Sequence, residues 1–335
     1  SIPLYVMAGS NKTDLRSNEA SIKYFLMGAF ATGFLLFGIA LIYGSTGSFD
    51  VHVINTFSVA NPKDLMFVMG IMLMLVAMAF KVSLAPFHMW SPDVYQGAPS
   101  LITAFMASVV KIAAFFAFFK VMNLAFSGSI KEWINILGVL VIITLLLANA
   151  MGLAQTNAKR MLAYSSVSHA GYLGLIFFGA NSLSVYNLAF YLFAYSLATV
   201  GVFMTLIWVE KLKRETSFEA FKGLAKSEPL LAVVTAVSLL SMAGIPLTAG
   251  FVAKFNIFAQ AMNGAAFLVL IAVLGSALSI AYYLKLIISM FFHTETTFKS
   301  SEKVSITYNI IAVFIIVAIL AIGIYPDLFK VQFGL

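Results

Sequence analysis

The chain has 335 residues, of which 61% are hydrophobic and 10% charged, with a net charge of +7 and a mean hydropathy of +0.99. These values exclude an ordinary soluble domain, in which about 25% of residues are charged. Apolar runs of about 20 residues indicate membrane-spanning helices and exclude the short alternating strands of an outer-membrane barrel. We therefore predict an all-α polytopic membrane protein.

The sequence contains no residue pattern typical of a redox cofactor or metal site. Cysteine is absent, which excludes disulfides, thiolate metal sites and iron–sulfur ligation by this chain. The histidines show no metal-binding spacing, and no phosphate-binding or dinucleotide-binding glycine motif is present. We expect no cofactor and no metal on this chain.

The predicted elements begin with residues 1–8, an apolar piece too short to span a bilayer. It is typical of the end of a transmembrane helix, so we expect an N-terminally truncated part of a longer membrane protein. A polar loop follows. Beyond it we predict about nine complete spans, at residues 19–43, 63–90, 99–121, 134–153, 159–180, 184–209, 229–260, 264–291 and 304–325.

Two of these spans are long and carry helix-breaking residues. The span 63–90 contains Pro86 after Lys81, and the span 229–260 contains Gly244 and Pro246 before Lys254. Because proline removes a backbone donor and clashes with the preceding turn, we predict a broken helix in each. Broken helices in two halves of a chain are typical of transporters with internal repeats. Two ordinary proline kinks are the alternative.

The lysines and arginines between the spans are distributed unequally. Twelve fall on one side and four on the other, so the positive-inside rule predicts that the first side is cytoplasmic or faces the matrix. The twelve are Lys12, Arg16, Lys23, Lys159, Arg160, Lys211, Lys213, Arg214, Lys222, Lys226, Lys299 and Lys303, and the four are Lys63, Lys120, Lys131 and Lys330. The longest loop, 210–228, is either a short interfacial helix or a solvated loop.

Three lysines, Lys81, Lys111 and Lys254, lie inside apolar stretches with no Asp or Glu at membrane depth. A charge at such a position costs at least about 2.5 to 3.5 kcal/mol, so these residues are candidates for function. Desolvation disfavours the charged form of a buried amine, which makes proton exchange easier. The alternative is a side chain that reaches the headgroups. That alternative is favoured for Lys285, near a helix end, which is therefore only a candidate relay.

The span 159–180 carries polar residues at spacings of three and four, which place them on one helical face. A stripe of this kind could line a hydrated proton path, with His169 as its titratable member. Packing of small residues between helices explains the serines equally well. His88, just after Pro86, is either a relay or a structural residue. The stripe consists of Tyr164, Ser165, Ser168, His169 and Tyr172.

Three segments carry a resemblance to a known family. They are FKVSLAPFHMWSPDVYQGAP at 80–99, QTNAKRMLAYSSVSHAGY at 155–172, and AGIP at 243–246 with the downstream KF at 254–255. Together they resemble the antiporter-like membrane subunits of respiratory complex I, most closely the subunit N group. The resemblance implies that Lys81 is the lysine of the broken seventh helix, Lys111 that of the eighth and Lys254 that of the broken twelfth. It equates His169 with the histidine of the tenth helix, and places a partner glutamate for Lys81 upstream of the first residue.

The resemblance also implies a function and an organisation. The chain would be one transmembrane proton-translocation domain, 1–335, with an incomplete first repeat at about 1–121, an inverted second repeat at about 134–291 and a C-terminal helix. It would belong to a proton-pumping NADH:quinone oxidoreductase, with NAD, flavin, iron–sulfur clusters and quinone in other subunits. Implied partners are other membrane-arm subunits and the lipid bilayer, not nucleic acid, and a bacterial inner membrane is expected. The alternatives are a subunit of a multisubunit sodium antiporter and a structural membrane subunit.

Overall fold

A computed structural model describes residues 2–293 and 304–329. Within these ranges the chain is helical, and seven helices are long and apolar enough to cross a membrane. The helices are α1 (Ile2–Ala8), α2 (Leu15–Thr46), α3 (Val51–Ala60), α4 (Leu65–Val82), α5 (Trp90–Gly97), α6 (Ser100–Phe105), α7 (Lys111–Ala125), α8 (Ile130–Leu153), α9 (Ala158–Gly174), α10 (Ser184–Lys213), α11 (Leu224–Ser227), α12 (Pro229–Ala243), α13 (Ala249–Phe292) and α14 (Ile306–Ile324). The prediction of an all-helical membrane protein is confirmed.

The helix α13 contains a reversal. Its backbone leaves helical geometry at Ala265 (φ −157°, ψ 55°), and the Nζ of Lys254 lies 2.8 Å from the Oγ of Ser276, 22 residues further on. A straight helix would separate these residues by about 33 Å. The two arms, 249–264 and 266–292, must therefore fold back on each other. They correspond to the end of one predicted span and the whole of the next.

The first predicted break is present between α4 and α5. Ser83 adopts a left-handed backbone conformation (φ 66°) and ends α4, and the next helix begins at Trp90, where the predicted span had ended. Side chains satisfy the freed backbone groups: the Trp90 indole donates to the carbonyl oxygen of Phe80 (3.1 Å), and the N–H of Ala85 donates to Thr144 Oγ1 (2.8 Å). A simple proline kink is excluded here, because the chain leaves helical geometry after Val82 and re-enters it only at Trp90.

The second break separates α12 from α13. Gly244 takes a left-handed conformation (φ 84°), which favours glycine, and a Cβ there would lie 2.9 Å from the Lys254 side chain and would displace it. Ser241 Oγ accepts the N–H of Gly250 at 3.0 Å, and the carbonyl oxygen of Ala243 accepts from Lys254 and Ser276. Lys254, which the sequence analysis located beside this break, thus hydrogen-bonds a backbone group at the end of α12.

Loops predicted on the same side of the membrane do meet. Asp93 in α5 pairs with Lys23 at the start of α2 (2.8 Å) and with Arg160 at the start of α9 (2.9 Å). Burial alone would raise the pKa of Asp93, but the hydrogen bonds of the two cations outweigh it and lower that pKa. On the opposite face Asn55 donates to Ser127 at 2.6 Å.

Some loop predictions need revision. Lys159, counted as a loop lysine, is 2% exposed and donates to the carbonyl oxygen of Ala98 (2.5 Å) with Glu210 at 3.5 Å. The loop 210–228 is neither one interfacial helix nor fully solvated, because it forms two short turns whose Phe221 and Leu224 are buried. Lys299, Lys303 and Lys330 lie outside the described residues.

Candidate functional site

Lys111 is held in the interior at a distorted turn. Residues Met106–Val110 form a π-helical turn that joins α6 to α7 immediately before the lysine, and such turns are frequent at functional sites. Lys111 is 4% exposed. Its Nζ donates to the Oγ of Ser166 (2.5 Å) and also to the Ser166 carbonyl oxygen, and it lies 5.6 Å from the ring centre of Tyr195. Neutral oxygens and an aromatic face therefore surround this charge.

Lys254 is buried at the second break. Its Nζ donates to the carbonyl oxygen of Ala243 (3.0 Å) and to Ser276 Oγ (2.8 Å), and it lies 4.6 Å above the ring centre of Tyr172. Ala243 is the last residue of α12, so its carbonyl belongs to the partially negative end of a helix. A helix terminus and an aromatic ring thus take the place of a carboxylate.

Lys81 lies in the last turn of α4, at the first break, and is partly exposed. Its Nζ is 5.9 Å from the ring centre of Phe80. Lys81 and Lys111 line one cavity of about 40 Å³. The first two predicted lysines are therefore neighbours across a small internal space, although they come from different helices.

His169 lies at the centre of a ring of tyrosines. Its Nδ1 is 2.8 Å from the hydroxyl of Tyr191 and its Nε2 is 3.4 Å from that of Tyr283. The Tyr195 ring centre, which also faces Lys111, is 4.6 Å from the imidazole, and that of Tyr172, which faces Lys254, is 5.7 Å away. His169 therefore stands between the two buried lysines.

Two of the predicted serines extend this network. Ser165 Oγ lies 2.5 Å from the Tyr283 hydroxyl, and Ser168 donates to the side-chain oxygen of Asn149 at 3.0 Å. Tyr282 donates to the same oxygen at 3.2 Å. Asn149 in turn donates to the hydroxyl of Tyr172 at 3.5 Å, and the Tyr172 ring faces Lys254.

Three other candidates lie apart from the network. Tyr164 is buried, but no hydrogen bond within the described part of the chain joins it to His169. His88 is buried in the first break, and its Nδ1 has no hydrogen-bond partner among the described residues. Lys285 is exposed and donates to the carbonyl oxygen of Leu153 at the end of α8 (2.5 Å), as expected for a side chain that reaches the interface.

Several residues of the site were not predicted from the sequence. Tyr191 and Tyr195 stand four residues apart on α10, a spacing that could have indicated a polar face. Tyr283 lies 114 residues from His169, so only the packing of α13 against α9 brings the two side chains together. Ser166 and Ser276 carry no signal of their own, because their roles depend on which lysine packs against them.

Known proteins resemble this chain in sequence and fold. The family model "NADH:quinone oxidoreductase/Mrp antiporter, TM" matches residues 1–279. The NADH-quinone oxidoreductase subunit N of Cytophaga hutchinsonii is 45% identical over 329 residues, which are 98% of this chain and 71% of that protein. The chain thus spans about seven tenths of this relative.

Solved structures show the same fold. A chain of respiratory complex I from Thermus thermophilus with bound aureothin matches with a TM-score of 0.81 at 36% identity, over 97% of this chain and 71% of that one. A chain of the Mrp complex from a Dietzia species matches with a TM-score of 0.83 at 23% identity, over 94% and 66%. The second likeness concerns the fold alone.

Proposed function

The chain belongs to the NADH:quinone oxidoreductase/Mrp antiporter transmembrane family, and from this premise we propose that it is a proton-conducting membrane subunit of an NADH-quinone oxidoreductase. One observation carries the proposal: His169 lies between two buried lysines, with the Tyr195 ring facing both His169 and Lys111 and the Tyr172 ring facing both His169 and Lys254. The hydroxyl groups around His169 can pass protons, because a hydroxyl both donates and accepts a hydrogen bond.

The mechanism follows from the partners of the lysines. Desolvation disfavours the charged form of a buried amine, and a nearby negative charge restores it. A change of charge elsewhere in the membrane would therefore make Lys111 or Lys254 take up or release a proton. His169, hydrogen-bonded to tyrosine hydroxyls through both ring nitrogens, is placed to pass that proton between them.

The complex would supply the energy. In this proposal the redox cofactors, NAD, flavin, iron–sulfur clusters and quinone, lie in other subunits, and this chain contributes translocation without a redox site of its own. Its partners are other membrane-arm subunits. Its location is a bacterial inner membrane, with the lysine-rich and arginine-rich loops in the cytoplasm.

An inverted repeat also forms part of the proposal. The first repeat, about 1–121, carries the break next to Lys81, and the second, about 134–291, carries the break next to Lys254. The same local structure in the two halves supports the repeat. In each half a helix ends at a residue with left-handed backbone conformation near a lysine: Ser83 near Lys81 and Gly244 near Lys254.

The test replaces lysines in the full-length subunit within its complex. Lys111→Ala and Lys254→Ala should each abolish most proton pumping, because each removes a buried amine that takes up and releases the proton, while the complex still assembles. Lys285→Ala is the matched control, since this lysine is exposed and donates to a carbonyl oxygen at the end of α8. Pumping is followed by fluorescence quenching in inverted vesicles, beside the rate of NADH oxidation.

The outcomes separate the alternatives. Normal pumping by both lysine variants would refute the proton role and leave a structural subunit. The family description, which also includes Mrp antiporters, favours a second candidate, a cation/proton antiporter subunit. Pumping that requires sodium, with uptake of labelled sodium into the vesicles, would support that candidate instead.

A further inference from the structure

The cavity between Lys81 and Lys111 is large enough to hold water. Its volume is about 40 Å³. One water needs about 10 to 15 Å³ of such volume, so two or three molecules fit. Polar groups in its wall could anchor them. Besides the two lysines, the lining residues that carry a hydroxyl group are Tyr24, Tyr95 and Ser83.

Tyr95 is held firmly in that wall. It is 2% exposed, and its backbone carbonyl accepts a hydrogen bond from Thr103 Oγ1 at 2.9 Å. Its ring stands edge-on to Trp90, with the centres 6.1 Å apart. The tyrosine therefore has little freedom to leave the cavity.

The side chain of Tyr95 also neighbours that of Ser166, whose Oγ accepts the hydrogen bond from Lys111. Tyr95 thus belongs both to the cavity wall shared with Lys81 and to the surroundings of Lys111. No other tyrosine among the described residues combines these two positions.

We propose that Tyr95 is a proton relay between Lys81 and Lys111. The inference rests on the proposed proton-conducting function and adds a residue to it. In the transfer, the Lys81 ammonium gives a proton to cavity water, and water gives one to the Tyr95 oxygen. The Tyr95 hydroxyl at the same time gives its own proton to Ser166 Oγ, and Ser166 gives its hydroxyl proton to the neutral amine of Lys111, so that Ser166 also ends unchanged. One proton moves, Lys111 becomes the ammonium, and Tyr95 ends unchanged.

The first test removes the hydroxyl and keeps the ring. Tyr95→Phe should slow proton pumping by about tenfold or more, since a positioned proton-transfer group contributes about 10²- to 10⁴-fold. Tyr186→Phe is the matched control, a buried tyrosine on α10 that packs on Phe190 away from the cavity. Its pumping should equal that of the parent complex.

A second measurement separates relay from packing. Fluorinated tyrosines placed at position 95 keep the shape of the ring and make the hydroxyl progressively more acidic. A relay predicts a pumping rate that changes stepwise with this acidity. Equal rates along the series would overturn the relay and leave a packing role, even if Tyr95→Phe failed to assemble.

Different results would refute the Tyr95 relay and the proposed proton-conducting function. Loss of pumping in Lys111→Ala with full pumping in Tyr95→Phe would refute the relay alone. Full pumping in Lys111→Ala and Lys254→Ala would refute the function and the relay with it. Support for both requires loss of pumping in the lysine variants and in Tyr95→Phe, with a graded response to fluorination.

Discussion

Gly250 provides the sharpest test of the second break. It is the second residue of α13, and a Cβ placed on it would lie 1.8 Å from the carbonyl oxygen of Ser241 in α12. Real Cβ contacts are essentially never under 3.0 Å, so Gly250→Ala would force the two backbones apart by about 1.2 Å. Backbone atoms cannot rotate away as a flexible side chain would.

The size of the effect follows from that displacement. Overpacking of this kind costs about 1 to 3 kcal/mol. Lys254 lies one turn further along the same arm, with hydrogen bonds of 3.0 and 2.8 Å to Ala243 and Ser276. Stretching either by that displacement takes it beyond the usual range of about 2.7 to 3.2 Å. We therefore expect lower stability together with weaker proton pumping.

The assay compares two glycine variants of the full-length subunit. Thermal unfolding of the detergent-solubilised complex and proton pumping in vesicles are measured for Gly250→Ala and Gly33→Ala. Gly33 lies on the exposed face of α2, and a Cβ there meets nothing within 4 Å, so its replacement should be neutral or slightly stabilising. Equal midpoints and equal pumping for the two variants would refute the close backbone approach.

Three further predictions concern single side chains. Thr144→Val should lower the midpoint of thermal unfolding by the equivalent of about 1 to 3 kcal/mol, because the Ala85 N–H loses its acceptor; an unchanged midpoint would contradict that capping role. Asp93→Asn should cost at most about 1 kcal/mol, since its ion pairs are part-exposed. Because the pKa of Asp93 is lowered, its contribution to stability should be present at neutral pH and should disappear as the pH falls through that pKa. The midpoint of thermal unfolding should therefore fall with decreasing pH more steeply in the parent protein than in Asp93→Asn. His169→Gln keeps hydrogen bonding but cannot carry a proton, so we expect assembly without pumping; full pumping would reduce the histidine to a structural residue.

The sequence by itself determined the spans and the breaks. Hydropathy is a local property, and about 20 apolar residues suffice to mark a helix in a bilayer. The breaks were equally local, because Pro86 and the pair Gly244 and Pro246 act on the backbone of their own turns. Lys81, Lys111 and Lys254 could be singled out because a charge in an apolar run is conspicuous without any knowledge of its neighbours.

Only the tertiary structure decided what surrounds those lysines. The partner of Lys111 is Ser166, 55 residues away, and Tyr283 reaches His169 across 114 residues. Such contacts depend on how helices rotate and pack, and side-chain spacing along one helix does not specify its neighbours. Lys285 lies exposed, outside the interior. Hydroxyl and carbonyl oxygens and aromatic rings surround the amines of Lys111 and Lys254. The fold can place the negative end of a helix next to a buried lysine where the sequence supplies no carboxylate, and only the packing of the helices decides where that happens.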